Sequence, residues 1–101
     1  MKKQETIRIV RKEVKKEAVV DTIPNTLESL QSEVGGYIEV VSVGSGILMV
    51  LNEEGKFNGS EANFNLGYDM IMGNVIFVKS DGEEFGGLDE EEIEAVIEWL
   101  G

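Results

Sequence analysis

The segment 46-GILMVLN-52 limits the fold more strongly than any other stretch of this 101-residue chain. Its residues from Ile47 to Leu51 are apolar at five consecutive positions. A strand with one solvated face alternates apolar and polar residues, whereas an unbroken apolar run is typical of a strand that is covered on both faces. The segment therefore predicts a sheet with this strand in its middle.

Four other segments have strand patterns, namely residues 5–12, 13–23, 37–43 and 74–80. In the first of them, Ile7 and Ile9 alternate with other residues, which indicates one buried face. The glycine-rich 44-GSG-46 predicts a hairpin between two of the strands. Residues 53–73 mix asparagine, glycine and aromatic residues, and they are predicted to form a functional loop or a short irregular helix.

Two segments carry helix signals. In 23-IPNTLESLQSEVGG-36, Asn25 is the predicted N-cap, Glu28 completes a capping box and Gly35 ends the helix. The second predicted helix spans residues 90–100. Together these elements predict one small α+β domain, with an antiparallel or mixed sheet of about five strands and two helices packed on one face.

The acidic segment 81-DGEEFGGLDEEE-92 has two competing interpretations. Its spacing resembles the calcium loop of an EF-hand, but one ligand position holds Phe85, which offers no oxygen, and a strand precedes the segment. Alternatively, Asp89 caps the second helix and Glu92 completes a capping box. The second interpretation explains more residues, so we predict the start of a helix and no metal site.

Charge is divided sharply along the chain. Residues 1–16 hold seven basic and two acidic groups, a net charge of +5, and the remaining 85 residues carry −16. A body this acidic repels phosphate backbones, so we do not expect it to bind nucleic acid directly. We predict that residues 1–22 form a basic N-terminal arm of edge strands held against the acidic body, and that residues 23–101 form the compact α+β domain.

Missing residue types restrict the chemistry. The sequence contains no cysteine and no histidine, which removes thiolate nucleophiles, disulfides, the commonest general base near neutral pH and the commonest ligand of transition metals. No apolar run approaches the roughly 20 residues that cross a bilayer. We therefore predict no catalytic residue, no cofactor, no metal ligand, no membrane partner and a cytoplasmic location.

Several short segments follow one another in a specific order. They are 27-LESLQSEVGGYIEVV-41, 51-LNEEGKFNG-59, 63-NFN-65 and 69-DMIMGNVIFVKSDGEE-84, before a closing acidic helix. The succession VGGYIE, NEEGK and GxxxFV resembles an uncharacterised domain-of-unknown-function family carried largely by bacteriophages, plasmids and other mobile elements. The resemblance covers roughly residues 23 to 99. It implies an accessory protein in the cytoplasm of a bacterial host, for which countering host defence is a common role, and it supplies no catalytic residue.

Two binding functions agree with these features. In the first, the protein sequesters a nucleotide-type immune signalling molecule, with aromatic and amide side chains around the base and ribose and a lysine at the phosphate. The residues predicted for this ligand site are Tyr37, Asn52, Lys56, Asn63, Phe64, Asn65 and Tyr68. Assembly into a homo-oligomer would complete such a site between subunits.

In the second, the acidic surface imitates the charge of DNA and inhibits a host defence protein, such as a CRISPR or restriction component, by binding it directly. The residues predicted for this surface are Glu53, Glu54, Glu61, Glu90, Glu91, Glu94 and Glu98. Charge mimicry weakens steeply as ionic strength rises, and base stacking weakens less. The long, amide-rich segment 53–73 favours the ligand, because an acidic surface also has an ordinary explanation in solubility.

Overall fold

Ten secondary-structure elements occupy the residues that this computed structural model describes, which are 5–56, 59–67 and 69–101. In chain order they are β1 (Thr6–Lys12), β2 (Val19–Pro24), α1 (Leu27–Val34), β3 (Ile38–Gly44), β4 (Ile47–Asn52), β5 (Ala62–Asn65), β6 (Met70–Met72), β7 (Val75–Asp81), β8 (Glu84–Gly86) and α2 (Glu90–Leu100). Six strands form one sheet in the order β2-β1-β7-β4-β3, with β8 paired to the end of β7, and β5 and β6 form a separate two-stranded sheet. All these pairings are antiparallel.

The predicted α+β domain with an antiparallel sheet is confirmed. The strand predicted at 46–52 lies inside the sheet, since β4 has β3 on one side and β7 on the other. Its turn with β3 is made by Ser45 and Gly46, whose φ angles are both positive, at 56° and 76°, as a two-residue hairpin of type I′ requires. The sheet has six strands instead of about five, because β8 adds a short pairing beside β7.

The two helices pack on opposite faces of the sheet, which corrects the prediction that they share one face. Phe77 of β7 belongs to a buried cluster with Ile93 of α2, and the adjacent Ile76 belongs to a second buried cluster with Leu30 of α1. Successive strand residues point to opposite faces, so these clusters define an α2 face and an α1 face. Apolar residues fill both sides of β4 and β7, and a helix on one side alone would leave half of them in water. Within the described residues, neither helix is long and apolar enough to cross a membrane.

Strand β1 is an interior strand, which differs from the predicted arm of edge strands. It pairs with β2 on one side and with β7 on the other, and only β2 lies at the edge. Its basic side chains contact acidic residues of both helices: Arg8 pairs with Glu90 of α2, and Arg11 pairs with Glu33 of α1. Strands β1 and β2 are therefore part of the sheet and are not an appendage to it.

Helix α1 begins one residue later than predicted. Thr26 is its N-cap and accepts a hydrogen bond from Ser29 N at 3.1 Å. Asn25, the predicted cap, is buried and donates its amide to Phe85 O at 3.0 Å instead. The predicted end is confirmed, because Gly35 adopts the left-handed conformation with a φ of 79°.

The segment 81–92 ends a hairpin and starts helix α2. Asp81 pairs with Glu84 across the turn between β7 and β8. Farther along, Asp89 Oδ1 accepts from Glu92 N at 2.8 Å, and Glu92 Oε1 accepts from Asp89 N at 2.9 Å. This reciprocal pair confirms the predicted capping box and the predicted helix start.

Strands β5 and β6 pair as an antiparallel hairpin, which corrects the prediction of a loop or irregular helix in this segment. The hairpin packs on the α2 face through Ile71, which is buried, and Phe64, which is partly buried. Its strands have four and three residues, too few for an alternating pattern to stand out in the sequence. The hairpin covers only part of the face and leaves a cleft beside β3 and β4.

Candidate binding surface

A cleft of about 360 Å³ lies between the β3–β4 hairpin and the β5–β6 hairpin. We call it the β3 cleft. Val41, Leu51 and Met70 contribute to its apolar lining, and Glu39 and Glu53 contribute carboxylates. The volume is at the lower end of the range for sites that enclose a small molecule.

The charge of the β3 cleft is negative. Lys56 lines the cleft, but its ammonium group pairs with the carboxylate of Asp69. This hydrogen bond lowers the pKa of Asp69 below its ordinary value. Glu39 and Glu53 are exposed and have no cationic partner in the described part of the chain, so the cleft suits a cationic guest better than a phosphate.

Two asparagines predicted to bind a ligand are engaged within the fold. Asn52 donates from Nδ2 to Val34 O at 3.2 Å, and its Oδ1 accepts from the backbone of the following turn at 2.7 Å. Asn63 donates from Nδ2 to Lys12 O at 2.9 Å and to Gly73 O at 2.8 Å, and its Oδ1 accepts from Lys12 Nζ at 3.0 Å. The side chain of Asn52 joins β4 to α1, and that of Asn63 joins β5 to β1. These hydrogen bonds explain why the sequence has asparagine at both positions.

The other predicted ligand residues do not converge on one place. Tyr37 is 67% exposed and borders a separate pocket of about 280 Å³ beside the end of α1. Lys56 lines the β3 cleft, and Phe64 and Asn65 lie together in a third place, beside α2. Tyr68 lies outside the described residues.

An aromatic groove of about 310 Å³ lies between β5 and the last turn of α2. We call it the Trp99 groove. Trp99 is 50% exposed and meets Phe64 edge to face, with ring centroids 6.0 Å apart. Asn65 lines the same groove, and its Oδ1 accepts from Gly67 N at 2.6 Å. Sequence reasoning missed Trp99, although a tryptophan outside the buried stripe of an acidic helix is itself a signal of a binding surface.

The seven acidic residues predicted to contact a protein are all exposed. Glu61 pairs with Lys15 at 3.1 Å, and Glu90 pairs with Arg8 at 2.9 Å. The other five have no cationic partner among residues 5–56, 59–67 and 69–101, and they are Glu53, Glu54, Glu91, Glu94 and Glu98. Three of these lie on α2, and two lie in the turn that follows β4.

Every lysine and arginine in the described part of the chain is engaged by another residue. Lys12 donates to Asn63 and to a backbone carbonyl. The other six form salt bridges with seven of the 20 carboxylates, and they are Arg8, Arg11, Lys15, Lys16, Lys56 and Lys79. Thirteen carboxylates consequently have no cationic partner there, so the surplus charge that a partner meets is negative.

Comparison with known proteins identifies a family but no function. Residues 7–101 match the family model described as Domain of unknown function (DUF3846). No curated protein and no solved structure matches the chain. Among the residues that the structure describes, no group of three or more acidic side chains is arranged to hold a metal ion.

Proposed function

The chain belongs to the DUF3846 family, and we propose that it is a non-catalytic binding protein, acting in the cytoplasm of a bacterial host on a basic protein partner. One observation supports this proposal, which is the imbalance between paired and unpaired charges. The described cations are all engaged inside the fold, whereas thirteen carboxylates lack a cationic partner in the same residues. A positively charged partner would compensate this charge and associate quickly through electrostatic steering.

Helix α2 presents the densest group of these carboxylates. Glu91, Glu94 and Glu98 are spaced so that they share one side of the helix. A row of carboxylates on a fixed helix resembles the row of phosphates that a DNA-binding protein recognises. We propose that the partner is a nucleic-acid-binding host defence protein, in keeping with the mobile-element origin that the sequence resemblance implies.

A salt titration on an identified partner tests this proposal. The immobilised protein is used to capture partners from a bacterial lysate at low ionic strength, and each captured protein is then purified. Its Kd is measured from about 50 to about 300 mM salt, over which the screening length shortens by a factor of about 2.5. We expect the affinity to fall by about tenfold or more, and we expect the protein to displace a DNA duplex from the partner.

Charge-neutral variants locate the surface. The triple variant Glu91→Gln, Glu94→Gln and Glu98→Gln removes three charges from α2 and should weaken binding by about tenfold. The control removes three exposed charges outside α2, through Glu5→Gln, Glu17→Gln and Glu28→Gln, and should weaken binding by less than about threefold. A Kd that ignores salt, or equal losses in both variants, would reject the proposed surface.

A second candidate function is sequestration of a nucleotide-type ligand, and the Trp99 groove is the observation that favours it. An exposed tryptophan beside Phe64 and Asn65 offers a stacking surface and an amide, which are the groups that hold a nucleobase. A thermal-shift panel of cyclic oligonucleotides and ADP-ribose-type molecules tests it. A ligand at about 100 times its Kd stabilises the folded state by about 2.7 kcal/mol, and Trp99→Ala should abolish the shift; a flat panel would reject this candidate.

A further inference from the structure

Strand β3 ends the sheet, and no strand in the described part of the chain pairs with its outer edge. Glu53 N donates to Tyr37 O at 3.0 Å, so these two residues form a hydrogen-bonded pair in the register of β3 and β4. Hydrogen-bonded and non-hydrogen-bonded pairs alternate along an antiparallel ladder. The backbone N–H and C=O groups of Ile38, Val40 and Ser42 therefore point away from the sheet.

The same alternation identifies the outward groups of β2 at the opposite edge. Asn25 N donates to Glu5 O at 2.9 Å, immediately after the strand. In the register of β1 and β2, this bond directs the backbone groups of Val20, Thr22 and Pro24 outward. Each edge therefore has three outward positions within its strand, and the two edges can be compared residue by residue.

Strand β2 has few outward N–H groups that could hydrogen-bond to an added strand. Pro24 has no N–H, and Thr22 N already donates to Asp21 Oδ1 at 2.7 Å. Within the described residues, only Val20 of β2 retains a free outward N–H, whereas neither a proline nor a side-chain hydrogen bond protects the three outward residues of β3. Edges that lack such protection are templates for pairing with another chain.

Side chains of an added strand would reach the β3 cleft. Glu39 and Val41 of β3 point to the α2 face and line this cleft, and Leu51 extends its apolar wall. A lysine or arginine side chain entering there would lay its aliphatic stem on Val41 and Leu51 and bring its charge to Glu39. On the α1 face, an added strand would meet Val40, which is 40% exposed.

We propose that the β3 edge binds an extended segment of the basic partner as an additional strand, with a lysine or arginine of that segment in the β3 cleft. This inference rests on the proposed function, because the basic character of the partner comes from it. Backbone hydrogen bonds to Ile38, Val40 and Ser42 supply affinity, and the cleft selects the side chain. The α2 carboxylates then act on the rest of the partner.

Charge complementarity favours a basic segment over a second copy of this chain. Pairing two copies through β3 would bring together two chains that each carry a net charge of −11. Glu39 and Glu53 would remain without opposite charges in both copies. In a segment where lysine and valine alternate, the lysines would pair with the carboxylates of the cleft on one face of the sheet. The valines would pack on Val40 on the other face.

A synthetic peptide with alternating lysine and valine is the probe for this edge. Its control has the same sequence with alternate backbone nitrogens methylated, which keeps the charge and removes the hydrogen bonds of an added strand. Amide hydrogen exchange is measured by NMR on the full chain with each peptide. We expect the unmodified probe alone to slow exchange about tenfold or more at Ile38, Val40 and Ser42, with no change at Val20.

Two edge variants and one charge variant complete the test. Val40→Pro removes an outward N–H of β3 and should weaken probe binding about tenfold or more, while Val20→Pro makes the same change at the β2 edge and should leave binding unchanged. Circular dichroism checks that both variants fold. Glu39→Gln keeps the backbone of β3 intact and should weaken binding by about threefold or more, even if Val40→Pro does not fold.

The outcomes separate this inference from the proposed function. Probe binding that weakens with salt, yet ignores Val40→Pro and Glu39→Gln and protects none of the β3 amides, would overturn the added strand and leave the basic partner standing. Failure of the peptide and of polylysine to bind at low salt would overturn both. A dimer of the protein alone that Val40→Pro dissociates would also overturn the inference, because a second copy would then occupy the edge.

Discussion

Each edge of the sheet has an exposed valine at an outward position, yet the two edges differ in what they can bind. Val20 on β2 is 42% exposed and Val40 on β3 is 40% exposed, so apolar exposure at these outward positions does not distinguish the edges. The difference comes from the outward backbone groups, because proline and an aspartate side chain occupy two of the three positions on β2 and none on β3. The accessibility of a sheet edge is therefore decided by individual N–H groups.

The largest effect should come from replacing Arg11, which supports β2, the edge whose outward N–H groups are mostly protected. Its guanidinium donates to Glu33 at 2.6 Å and 2.8 Å and pairs with Asp21 at 2.9 Å, while only 19% of its side chain is exposed. The hydrogen bonds to Glu33 raise the pKa of Arg11 above its ordinary value. Arg11→Ala should lower the free energy of unfolding in urea by about 3 kcal/mol, because it leaves Glu33 partly buried without a partner.

Arg8→Ala is the matched control for this change. Arg8 pairs with Glu90 on the other face of β1, but the two side chains are 45% and 76% exposed. An exposed pair contributes less than about 1 kcal/mol. Equal losses in the two variants would show that Arg11 has no special part in supporting the β2 edge.

Replacement of Asn52, which supports the unprotected β3 edge, should lower the free energy of unfolding by a smaller amount. Asn52 is 7% exposed and holds the end of β4, the neighbour of β3, against the last turn of α1. Asn52→Ala should lower the free energy of unfolding by about 2 kcal/mol, because it leaves Val34 O and a backbone N–H without partners. Asn65→Ala, at an exposed turn, should cost less than about 1 kcal/mol in the same urea titration. The role of Asn52 would be contradicted if the two variants were equally stable.

Removal of the aspartate that covers Thr22 N should make Thr22 on β2 as open to exchange as Val40 on β3. In the unmodified protein, exchange at Thr22 should be slower than at Val40, because Thr22 N donates to Asp21 and Val40 N has no partner among the residues that the structure describes. Asp21→Ala should speed exchange at Thr22 by about tenfold and leave Val40 unchanged. An unchanged rate at Thr22 would show that the side-chain bond does not protect the β2 edge.

The smallest effect should be a pH dependence of the hydrogen bond from Thr22 N to the Asp21 side chain. The bond from Thr22 N and the pairing with Arg11 lower the pKa of Asp21 below its ordinary value of 3.8. The ionised carboxylate of Asp21 therefore contributes its full stabilisation above pH 3.8. This contribution is lost as pH falls through the lower pKa that Asp21 has in the folded state. The chemical shift of Thr22 N–H should titrate with Asp21 below pH 3.8, and Asp21→Asn should abolish this titration. A midpoint above 3.8 would contradict the assignment.

The sequence predicted the main elements because their signals are local. The apolar run at 46–52, the glycine turn at 44–46 and the capping box of α2 each follow from neighbouring residues. The positions of the helices depend on which faces of the sheet carry apolar residues that must be buried. The apolar residues of β4 and β7 already indicated that both faces must be covered. Strands β5, β6 and β8 escaped prediction because each is too short to display a period.

The candidate site was less predictable, since its residues acquire their roles through pairing. Asn52 and Asn63 have the composition of ligand-binding amides, but they join elements that are distant in the sequence. The open edge depends on the register that places Tyr37 opposite Glu53, and register is not visible in composition. Glu39 is informative only once β3 is known to be the last strand.

The central position of β7 sets the order in which the chain can fold. On the ribosome, the β1–β2 and β3–β4 hairpins emerge first, and the strand that joins them is synthesised long afterwards. Until β7 inserts, the inner borders of both hairpins are as open as the β3 edge is in the finished protein. Folding therefore depends on late, non-local pairing, which is slow compared with helical domains of this size. The nascent chain, rather than the native protein, is the state in which chaperones have most to protect.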